Sequence, residues 1–313
     1  MRTDCRAEIG TRNEPAFLTE GRSEAICGRR RAVVAVASGK GGTGKTTVAV
    51  NLAVTAARSG RQAALVDCDV EAPNAHLFLR PEIARSDPAF VPVPVVDESK
   101  CTACGECGSF CRYSAIVSLK TKPLLFPELC HGCGGCVLVC PTGAITEGRR
   151  EIGRVDEGHS DGVAFAGGAL RIGEAMSPPL IRQVKARAPL EGLVIRDAPP
   201  GAACPAVEAV RGADLVLLVT EPTPFGLNDL GIAVETVRRL SIPFGVVVNR
   251  ASQDRPEARQ WCTERGIDVI AEFPDDRRVA EAYSRGCLVI DAVEGVRPLL
   301  DVLLGEVERR LPR

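Results

Sequence analysis

This chain of 313 residues has a formal net charge of only −1, and it lacks a long apolar run and a cluster of histidines. Its 39 Lys and Arg residues face 40 Asp and Glu residues, so no charge excess attracts nucleic acid or an anionic membrane. No apolar stretch approaches the roughly 18 residues of a transmembrane helix. His76, His131 and His159 have no mutual spacing typical of a metal-ligand set. We therefore expect no nucleic-acid partner and no stable insertion into a membrane.

The first 30 residues are polar and mixed in charge, without the apolar core of a secretory signal. They also lack clear periodicity, so we expect residues 1–30 to form a disordered tail. Without a signal, the protein is expected in the cytoplasm, where thiols stay reduced. We therefore do not interpret its cysteines as a set of disulfides.

Outside a cysteine-rich segment, short apolar runs alternate with helical patterns. This alternation predicts an α/β fold with a doubly wound, mainly parallel sheet. The predicted strands are Ala32–Ala37, Ala63–Val66, Leu193–Ile195, Leu215–Val219, Phe244–Val248 and Val269–Ile270. The predicted helices are Thr46–Arg58, Pro178–Arg187, Leu227–Leu240, Pro256–Arg265, Arg278–Arg285 and Pro298–Leu311.

A glycine-rich loop joins the first predicted strand to the first predicted helix. It matches the pattern G-x-x-x-x-G-K-[ST] in the strand–loop–helix context that this motif requires. Its glycines let backbone N–H groups surround phosphates at the positive end of a helix. Lys45 is expected at the β- and γ-phosphates of ATP, and Thr46 at Mg²⁺. The predicted nucleotide contacts are Gly39, Lys40, Gly41, Gly42, Thr43, Gly44, Lys45, Thr46 and Thr47.

Two carboxylates, Asp67 and Asp69, follow the second predicted strand. Strand ends of such sheets face the nucleotide. Because the two residues are two positions apart, they would share a face if the strand continued. One could orient water while the other supports Mg²⁺, and the spacing alone leaves open which does which.

Eight of the fourteen cysteines form two copies of one motif. Each copy has the C-x₂-C-x₂-C-x₃-C spacing of bacterial ferredoxins, in which three close thiolates bind one [4Fe–4S] cluster and the fourth reaches the other. Paired zinc sites are the alternative, because C-x₂-C pairs also bind zinc. The predicted ligands are Cys101, Cys104, Cys107 and Cys140 for cluster one, and Cys130, Cys133, Cys136 and Cys111 for cluster two.

Ordinary P-loops lack the early lysine of this loop, Lys40. With it, the sequence resembles the deviant Walker A ATPases of the MinD superfamily: MinD and ParA positioning ATPases, the nitrogenase iron protein and Mrp-type iron–sulfur carriers. The resemblance implies a SIMIBI-type P-loop NTPase in which Lys40 reaches across a nucleotide-sandwich dimer to the phosphates bound by the other subunit. It implies a homodimer, or a heterodimer with a paralogue, when ATP is bound.

The same resemblance assigns roles at strand ends. It favours Asp69 as the group that orients water, with Asp67 nearer the metal. Asp197 and the following Ala-Pro-Pro-Gly look like the Walker B and switch II segment of the superfamily. The resemblance thus implies that Asp197 acts on Mg²⁺ through water and that the Gly201 N–H senses the γ-phosphate.

Two later stretches resemble the parts of the superfamily that flank adenine. Asn249 ends the strand in the first stretch, and Pro274 belongs to the second. Cys204 lies where the nitrogenase iron protein carries a ligand to a dimer-bridging cluster. No second such cysteine is evident in the ATPase part, so a bridging cluster is not favoured.

From about residue 31 onward, the chain resembles MinD-superfamily ATPases that contain an inserted small α+β bacterial-ferredoxin domain. Pro92, Pro94 and the polar residues 97–100 mark the start of the insertion, and residues 147–151 mark its end. The predicted domains are therefore a tail at 1–30, an ATPase domain at 31–97 and 149–313, and a ferredoxin domain at 98–148.

The leading interpretation is that ATP binding and hydrolysis gate electron transfer from two clusters to an unidentified redox partner. A second is an ATPase that delivers iron–sulfur clusters to an apo-acceptor protein, although the ATPase part lacks the C-x₂-C pair of Mrp-type carriers. A third is an ATP-switched positioning protein, which is disfavoured because no membrane tail or basic DNA-binding surface is visible.

Overall fold

The computed structural model describes residues 31–119, 121–252 and 254–312, so the predicted tail lies outside the described residues. Strands and helices alternate along most of the described chain. The strands are β1 (Ala32–Ala37), β2 (Ala63–Asp67), β3 (Glu82–Val96), β4 (Ile116–Ser118), β5 (Pro123–Leu125), β6 (Ile145–Ser160), β7 (Val163–Leu170), β8 (Leu193–Asp197), β9 (Leu215–Thr220), β10 (Phe244–Ala251) and β11 (Val269–Pro274).

The helices range from single turns to the 16 residues of the longest. They are α1 (Lys45–Arg58), α2 (Ala75–Leu79), α3 (Glu106–Phe110), α4 (Gly135–Leu138), α5 (Pro178–Ala186), α6 (Cys204–Val210), α7 (Pro224–Arg239), α8 (Glu257–Glu264), α9 (Arg277–Ser284), α10 (Val289–Ala292) and α11 (Val296–Arg310), with a 3₁₀ turn at Pro127–Leu129. In the described part of the chain, none combines the length and apolarity needed to cross a bilayer.

One sheet of nine strands organises the molecule, in the order β11-β10-β9-β1-β8-β2-β7-β6-β3. The strands from β11 to β7 pair in parallel. The last two, β6 and β3, pair antiparallel. The predicted α/β fold with a mainly parallel sheet is thus confirmed.

Helices cover both faces of the sheet, and each layer has its own apolar core. On one face, α1 and α11 bury side chains such as Leu52 and Leu303. On the other, α5 and α7 bury Leu180 and Leu230. Parallel strands covered on both faces are expected to be apolar throughout, which is why β1, β2, β8 and β9 were recognisable as short apolar runs.

Three strands of the sheet, β3, β6 and β7, were not predicted. β3 contains Pro88, Pro92 and Pro94, which argue against a central strand because proline cannot donate to a ladder. The structure places β3 at the sheet edge, where proline is tolerated. Pro92 and Pro94, interpreted as the start of the insertion, therefore lie within β3, and residues 147–151 lie within β6.

The cysteine-rich unit sits at the tip of this long β3–β6 ribbon. The ribbon ladder ends at the pair Val96 and Ile145. Beyond it lie α3, α4 and the small antiparallel pair of β4 and β5. Cys107, Ile116 and Ile145 form a separate small core there. The unit is therefore joined to the main sheet by two hydrogen-bonded strands.

Candidate functional site

The glycine-rich loop connects β1 to α1. Gly44 is the N-cap residue of α1 at φ 94°, in the left-handed region. A Cβ at this position would overlap the side-chain amide of Asn249. That amide nitrogen, Nδ2, donates to the Thr43 carbonyl oxygen at 2.8 Å. Only glycine satisfies both the backbone angle and this close approach, which ties β10 to the loop.

A cavity of about 400 Å³ opens above the loop. This volume lies within the range of small-ligand sites. The predicted contact residues that line the cavity are Gly41, Gly42, Gly44, Lys45, Thr46, Thr47, Asp69, Asn249 and Pro274. Gly39 instead packs against Asp229 of α7. The cations Arg250 and Arg277 also line the cavity, as do the carboxylates Asp275 and Asp276.

An apolar hollow adjoins this cavity. It is lined by Thr47, Asn249, Phe273, Pro274 and Val279, together with residues of α10 and α11. The hollow has a volume of about 30 Å³, and most of its lining side chains are apolar. The structure thus brings Asn249 and Pro274 together beside the phosphate loop.

Lys45 and Asp197 form the buried centre of the site. Lys45 is 7% exposed, and Asp197 at the end of β8 is fully buried. Within the described residues neither Asp197 oxygen has a well-formed hydrogen bond. Burial raises the pKa of Asp197 to about 7, whereas the nearby Thr46 hydroxyl and Lys45 act to lower it. Burial likewise lowers the pKa of Lys45, against the attraction of Asp197 and Asp69.

A buried carboxylate without hydrogen-bond partners is destabilising unless a cation neutralises it. Mg²⁺ takes oxygen ligands and usually keeps several waters. Asp197 and the Thr46 hydroxyl offer such oxygens beside the phosphate loop. The donor set therefore fits Mg²⁺, with Asp197 and Thr46 as the residues that would hold it.

The two carboxylates after β2 have different environments. Asp67 Oδ1 accepts from the Asp69 N–H at 3.1 Å, and Oδ2 accepts from the Asn74 and Ala75 N–H groups at 3.2 and 3.1 Å. Burial, followed by the charge of Asp197, raises the pKa of Asp67. Asp69 lines the cavity, and burial raises its pKa too. Asp69 is thus the member placed to contact water, while Asp67 anchors the backbone of the following loop.

Lys40 pairs with a carboxylate of its own chain. Its Nζ lies 3.3 Å from Glu221 Oε2. The other oxygen of Glu221 accepts from Arg250 Nη1 at 2.7 Å. The Glu221 side chain is 9% exposed and that of Lys40 31% exposed. The lysine that the resemblance assigns to a partner's phosphates is therefore held by Glu221 in the single chain.

The Gly201 N–H, predicted to sense the γ-phosphate, donates to the Ser38 carbonyl oxygen at 2.9 Å. Its neighbour Pro200 lines the cavity. Gly201 has φ 91°, so this turn depends on glycine. Gly201 would have to break this hydrogen bond before it could contact a phosphate.

The eight clustered cysteines line two separate cavities. One is lined by Cys101, Cys104, Cys107 and Cys140, and the other by Cys111, Cys130, Cys133 and Cys136. The fourth cysteine of each motif thus lies with the first three of the other motif. In the described chain, no three His, Cys, Asp or Glu side chains are close enough to hold one metal ion. Each thiolate of a four-iron cluster binds a different iron, so its ligands surround the cluster instead of converging on one ion.

Backbone N–H groups surround the fourth cysteine of each motif. Burial acts to raise the pKa of Cys111, but N–H groups of residues 113–116 outweigh it and lower the pKa. Around Cys140, burial is outweighed by the Thr142 hydroxyl and the N–H groups of residues 142, 144 and 145. Thiolates are the ligand form of cysteine, and N–H donors to sulfur tune iron–sulfur centres. The surroundings of Cys111 and Cys140 therefore favour the thiolate that a cluster needs, whereas burial raises the pKa of Cys136 to about 11 and also raises that of Cys130.

Four residues were not identified from the sequence: Glu221 and Arg250 beside the nucleotide cavity, and Arg150 and Glu174, which form a buried ion pair at β6. Glu221 could have been identified from the sequence, because it directly follows a buried parallel strand. Asp197 has a similar position at the end of such a strand. Arg150 and Glu174 could not have been identified in this way, since they meet only across β6 and the loop before α5.

Comparison with known proteins agrees with the fold of the nucleotide-binding part. A family model described as the CobQ/CobB/MinD/ParA nucleotide binding domain matches residues 34–289. An uncharacterized protein of Methanocaldococcus jannaschii is 31% identical over 263 residues, which cover 81% of this chain and 90% of that protein. An iron–sulfur cluster carrier protein of Pyrococcus abyssi is 22% identical over 273 residues, covering 82% of this chain and 78% of that protein.

A solved structure has the same fold. The septum site-determining protein MinD of Pyrococcus horikoshii, complexed with Mg-ADP, superposes with a TM-score of 0.56 at 18% identity. The match covers 89% of this chain and 96% of that chain. At this identity the likeness concerns the fold alone.

Proposed function

The chain belongs to the CobQ/CobB/MinD/ParA nucleotide-binding family as an ATPase of the MinD type, and we propose that its ATP hydrolysis gates electron transfer through two [4Fe–4S] clusters. The clusters would be held by the cysteine-rich unit, and when bound they supply one-electron redox chemistry. The acceptor is a protein that docks on this unit. The ATP-bound form is a homodimer or a heterodimer with a paralogue.

The nucleotide half of the proposal rests on the cavity above the glycine-rich loop. Lys45 supplies a buried positive charge for phosphate, and Asp197 and Thr46 would hold Mg²⁺. Asp69 orients the attacking water from the cavity wall. Lys40 of the other subunit neutralises the charge that develops on the phosphates. To do so, Lys40 must first break its ion pair with Glu221.

The redox half rests on the pair of four-cysteine cavities. Cys101, Cys104 and Cys107 with Cys140 would hold cluster one, and the second cavity would hold cluster two. The N–H groups around Cys111 and Cys140 stabilise negative charge on sulfur. Eight cysteines with two matched N–H environments favour resident clusters.

One observation carries the coupling between the halves: both sites are built on the same sheet. β6, which supports the cysteine-rich unit, pairs with β7, and β7 pairs with β2. β2 ends at Asp67, two residues before Asp69. Hydrogen-bonded strands thus lead from one site to the other without a flexible linker, so a shift at the nucleotide can reach the clusters.

The test is an anaerobic redox titration of the reconstituted protein, followed by electron paramagnetic resonance with and without ATP and Mg²⁺. We expect ATP to change the potential of at least one cluster or its rate of electron release to an artificial acceptor. Lys45→Ala, which removes the phosphate-binding lysine, should abolish this response while iron content is unchanged. If potentials, electron-transfer rates and ATP turnover were independent of one another, the proposal would be refuted.

A second function, delivery of clusters to an apo-acceptor protein, is favoured by the similarity to an iron–sulfur cluster carrier over most of the chain. The two functions predict different fates for the iron. A carrier loses its cluster to an apo-ferredoxin acceptor in the presence of ATP, whereas an electron-transfer protein keeps its iron through repeated turnover. Iron analysis of both proteins after separation distinguishes them.

A further inference from the structure

Residues 171–177, here called the strap, connect β7 to α5 and run between the two sites. Leu170, just before the strap, donates its N–H to the Val70 carbonyl oxygen at 2.9 Å. Arg171 donates its N–H to the Ile152 carbonyl oxygen of β6 at 2.8 Å. The strap therefore starts where the loop after β2 and the cluster-bearing ribbon come together.

At its far end the strap is bound to the nucleotide loop. The Ser177 hydroxyl donates to Glu71 Oε1 at 2.6 Å. Glu71 follows Asp69 by two residues, in a turn that is closed by the Ala72 N–H donating to the Asp69 carbonyl oxygen at 3.2 Å. This carboxylate thus links the strap to the water-orienting residue.

The geometry of Ser177 is unusual for its position. It is the N-cap residue of α5 and 1% exposed. A serine there commonly accepts a hydrogen bond from an N–H of its own helix. Within the described chain its side chain makes no such cap, and its hydroxyl is directed to Glu71 instead. Helix capping therefore does not explain this serine, whereas a link to Glu71 does.

In the middle of the strap, Glu174 forms a two-pronged ion pair with Arg150 of β6. Arg150 Nη2 lies 3.2 Å from Glu174 Oε1, and Nη1 pairs with Oε2. The side chains are 14% and 4% exposed, so water screens this pair weakly. Among the described residues, Arg150 Nε has no hydrogen-bond acceptor. One buried donor of this guanidinium is thus left for another group.

Arg150 also lies beside a predicted ligand of cluster two. It pairs in register with Val91, and the neighbouring Pro92 carbonyl oxygen lies 3.9 Å from Cys130 Sγ. Register partners in an antiparallel ladder share a face, and Val91 lies in the same buried apolar cluster as Cys130, so Arg150 is on the face of the ribbon that carries this cysteine. A nearby cation stabilises the more negative, reduced form of a cluster and so raises its potential.

We propose that the strap transmits the state of the nucleotide site to cluster two, through Ser177 and Glu71 at one end and Glu174 and Arg150 at the other. The positive charge of Arg150 sets the potential of the cluster bound by Cys130, and Glu174 partly neutralises that charge. Movement of the loop after β2 pulls the strap through Ser177 and changes how fully Glu174 covers Arg150. This proposal rests on the proposed function, because it needs a cluster bound in that cavity.

The cluster end is tested by Arg150→Gln in the reconstituted full chain. Redox titration should show one cluster moved to a more negative potential and the other unchanged. Arg154→Gln is the matched control, since Arg154 is an exposed arginine of the same strand paired with Asp156. An unchanged potential in Arg150→Gln, or an equal shift in both variants, would overturn the proposal.

The nucleotide end is tested by Ser177→Ala and, independently, by Glu71→Ala. Each should keep the nucleotide-free potential of cluster two and lose more than half of the shift caused by a non-hydrolysable ATP analogue. Ser86→Ala is the control, because it removes a serine–carboxylate bond to Asp156 on the same ribbon and should leave the shift intact. Hydrogen exchange of residues 145–152 on addition of the analogue gives a second readout in protein without clusters.

The outcomes separate the strap from the proposed function. If the wild-type protein shows no nucleotide-dependent shift and no change in exchange, the proposed gating fails. If the wild type responds and Ser177→Ala and Glu71→Ala respond equally, the strap is refuted and gating by another route stands. A response lost in both variants and kept in Ser86→Ala supports the strap.

Discussion

Replacing Glu221 with Gln tests whether this residue restrains the lysine that acts across a dimer. In the single chain Lys40 Nζ lies 3.3 Å from Glu221 Oε2. A lysine bound there cannot reach the phosphates of another subunit. Glu221→Gln keeps the shape of the side chain and removes its charge, so Lys40 should be released and the ATP-bound dimer should form more readily.

The size of the effect follows from the distance and the exposure. At 3.3 Å and an effective dielectric constant of about 20, the Coulomb energy of the pair is about 5 kcal/mol. The Lys40 side chain is 31% exposed, and screening with the loss of side-chain freedom reduces the net stabilisation to about 1 kcal/mol. Two such pairs must break when a dimer forms, at a total cost of about 2 kcal/mol. Removing this cost should lower the dimer Kd about 30-fold.

Sedimentation equilibrium with a saturating non-hydrolysable ATP analogue measures this Kd. Glu308→Gln is the matched control, since Glu308 pairs with Arg61 at 2.7 Å on an exposed surface, and we expect less than a threefold change there. An unchanged or weaker dimer in Glu221→Gln would refute the reasoning. If Arg250→Gln reproduced the gain, the effect would belong to the second partner of Glu221 instead.

Three further predictions concern single positions. Cys140→Ser should lose one cluster, which is about half of the bound iron, and its paramagnetic resonance spectrum should match that of Cys101→Ser. A spectrum that matches that of Cys130→Ser would contradict the crossed ligand sets. Gly44→Ala should weaken ATP binding about 5- to 160-fold in a fluorescent-nucleotide titration, because the left-handed backbone and the clash together cost about 1–3 kcal/mol; near-normal affinity would be inconsistent with this. Leu303→Ala, at a fully buried position, should lower the free energy of unfolding by about 2–5 kcal/mol in urea, whereas Val302→Ala, 59% exposed, should change it by less than about 0.5 kcal/mol.

The parts of the site that were predictable from the sequence are contiguous in the chain. The glycine-rich loop works through the backbone of eight consecutive residues, and the cysteine motifs depend on short spacings. The chemistry of these motifs can therefore be predicted without knowledge of the fold. Asp197 and Asn249 were assigned by the resemblance to the superfamily; each also stands at the end of an apolar run, and parallel strands end on the same edge of a sheet.

The unpredicted strands show where local pattern fails. β3 carries three prolines, and β7 contains the pair Gly167 and Gly168, which are poor strand formers. β3 is tolerated at the sheet edge. A Cβ on Gly168 would overlap Val184 of α5, so the small residue there allows the helix to pack closely. Such strands are stabilised by their neighbours and not by their own composition.

Taken by itself, the sequence determined the chemistry of this protein: a phosphate loop with Lys45, a strand-end carboxylate at Asp197 and eight cysteines in ferredoxin spacing. Only the tertiary structure decided how these groups are arranged. It placed Asp69 at the wall of the cavity and Asp67 against backbone N–H groups. It also paired Lys40 with Glu221 and Glu174 with Arg150. The reason is physical: local motifs depend on backbone geometry over a few residues, whereas charge pairing and burial depend on which distant segments the packed sheet brings together.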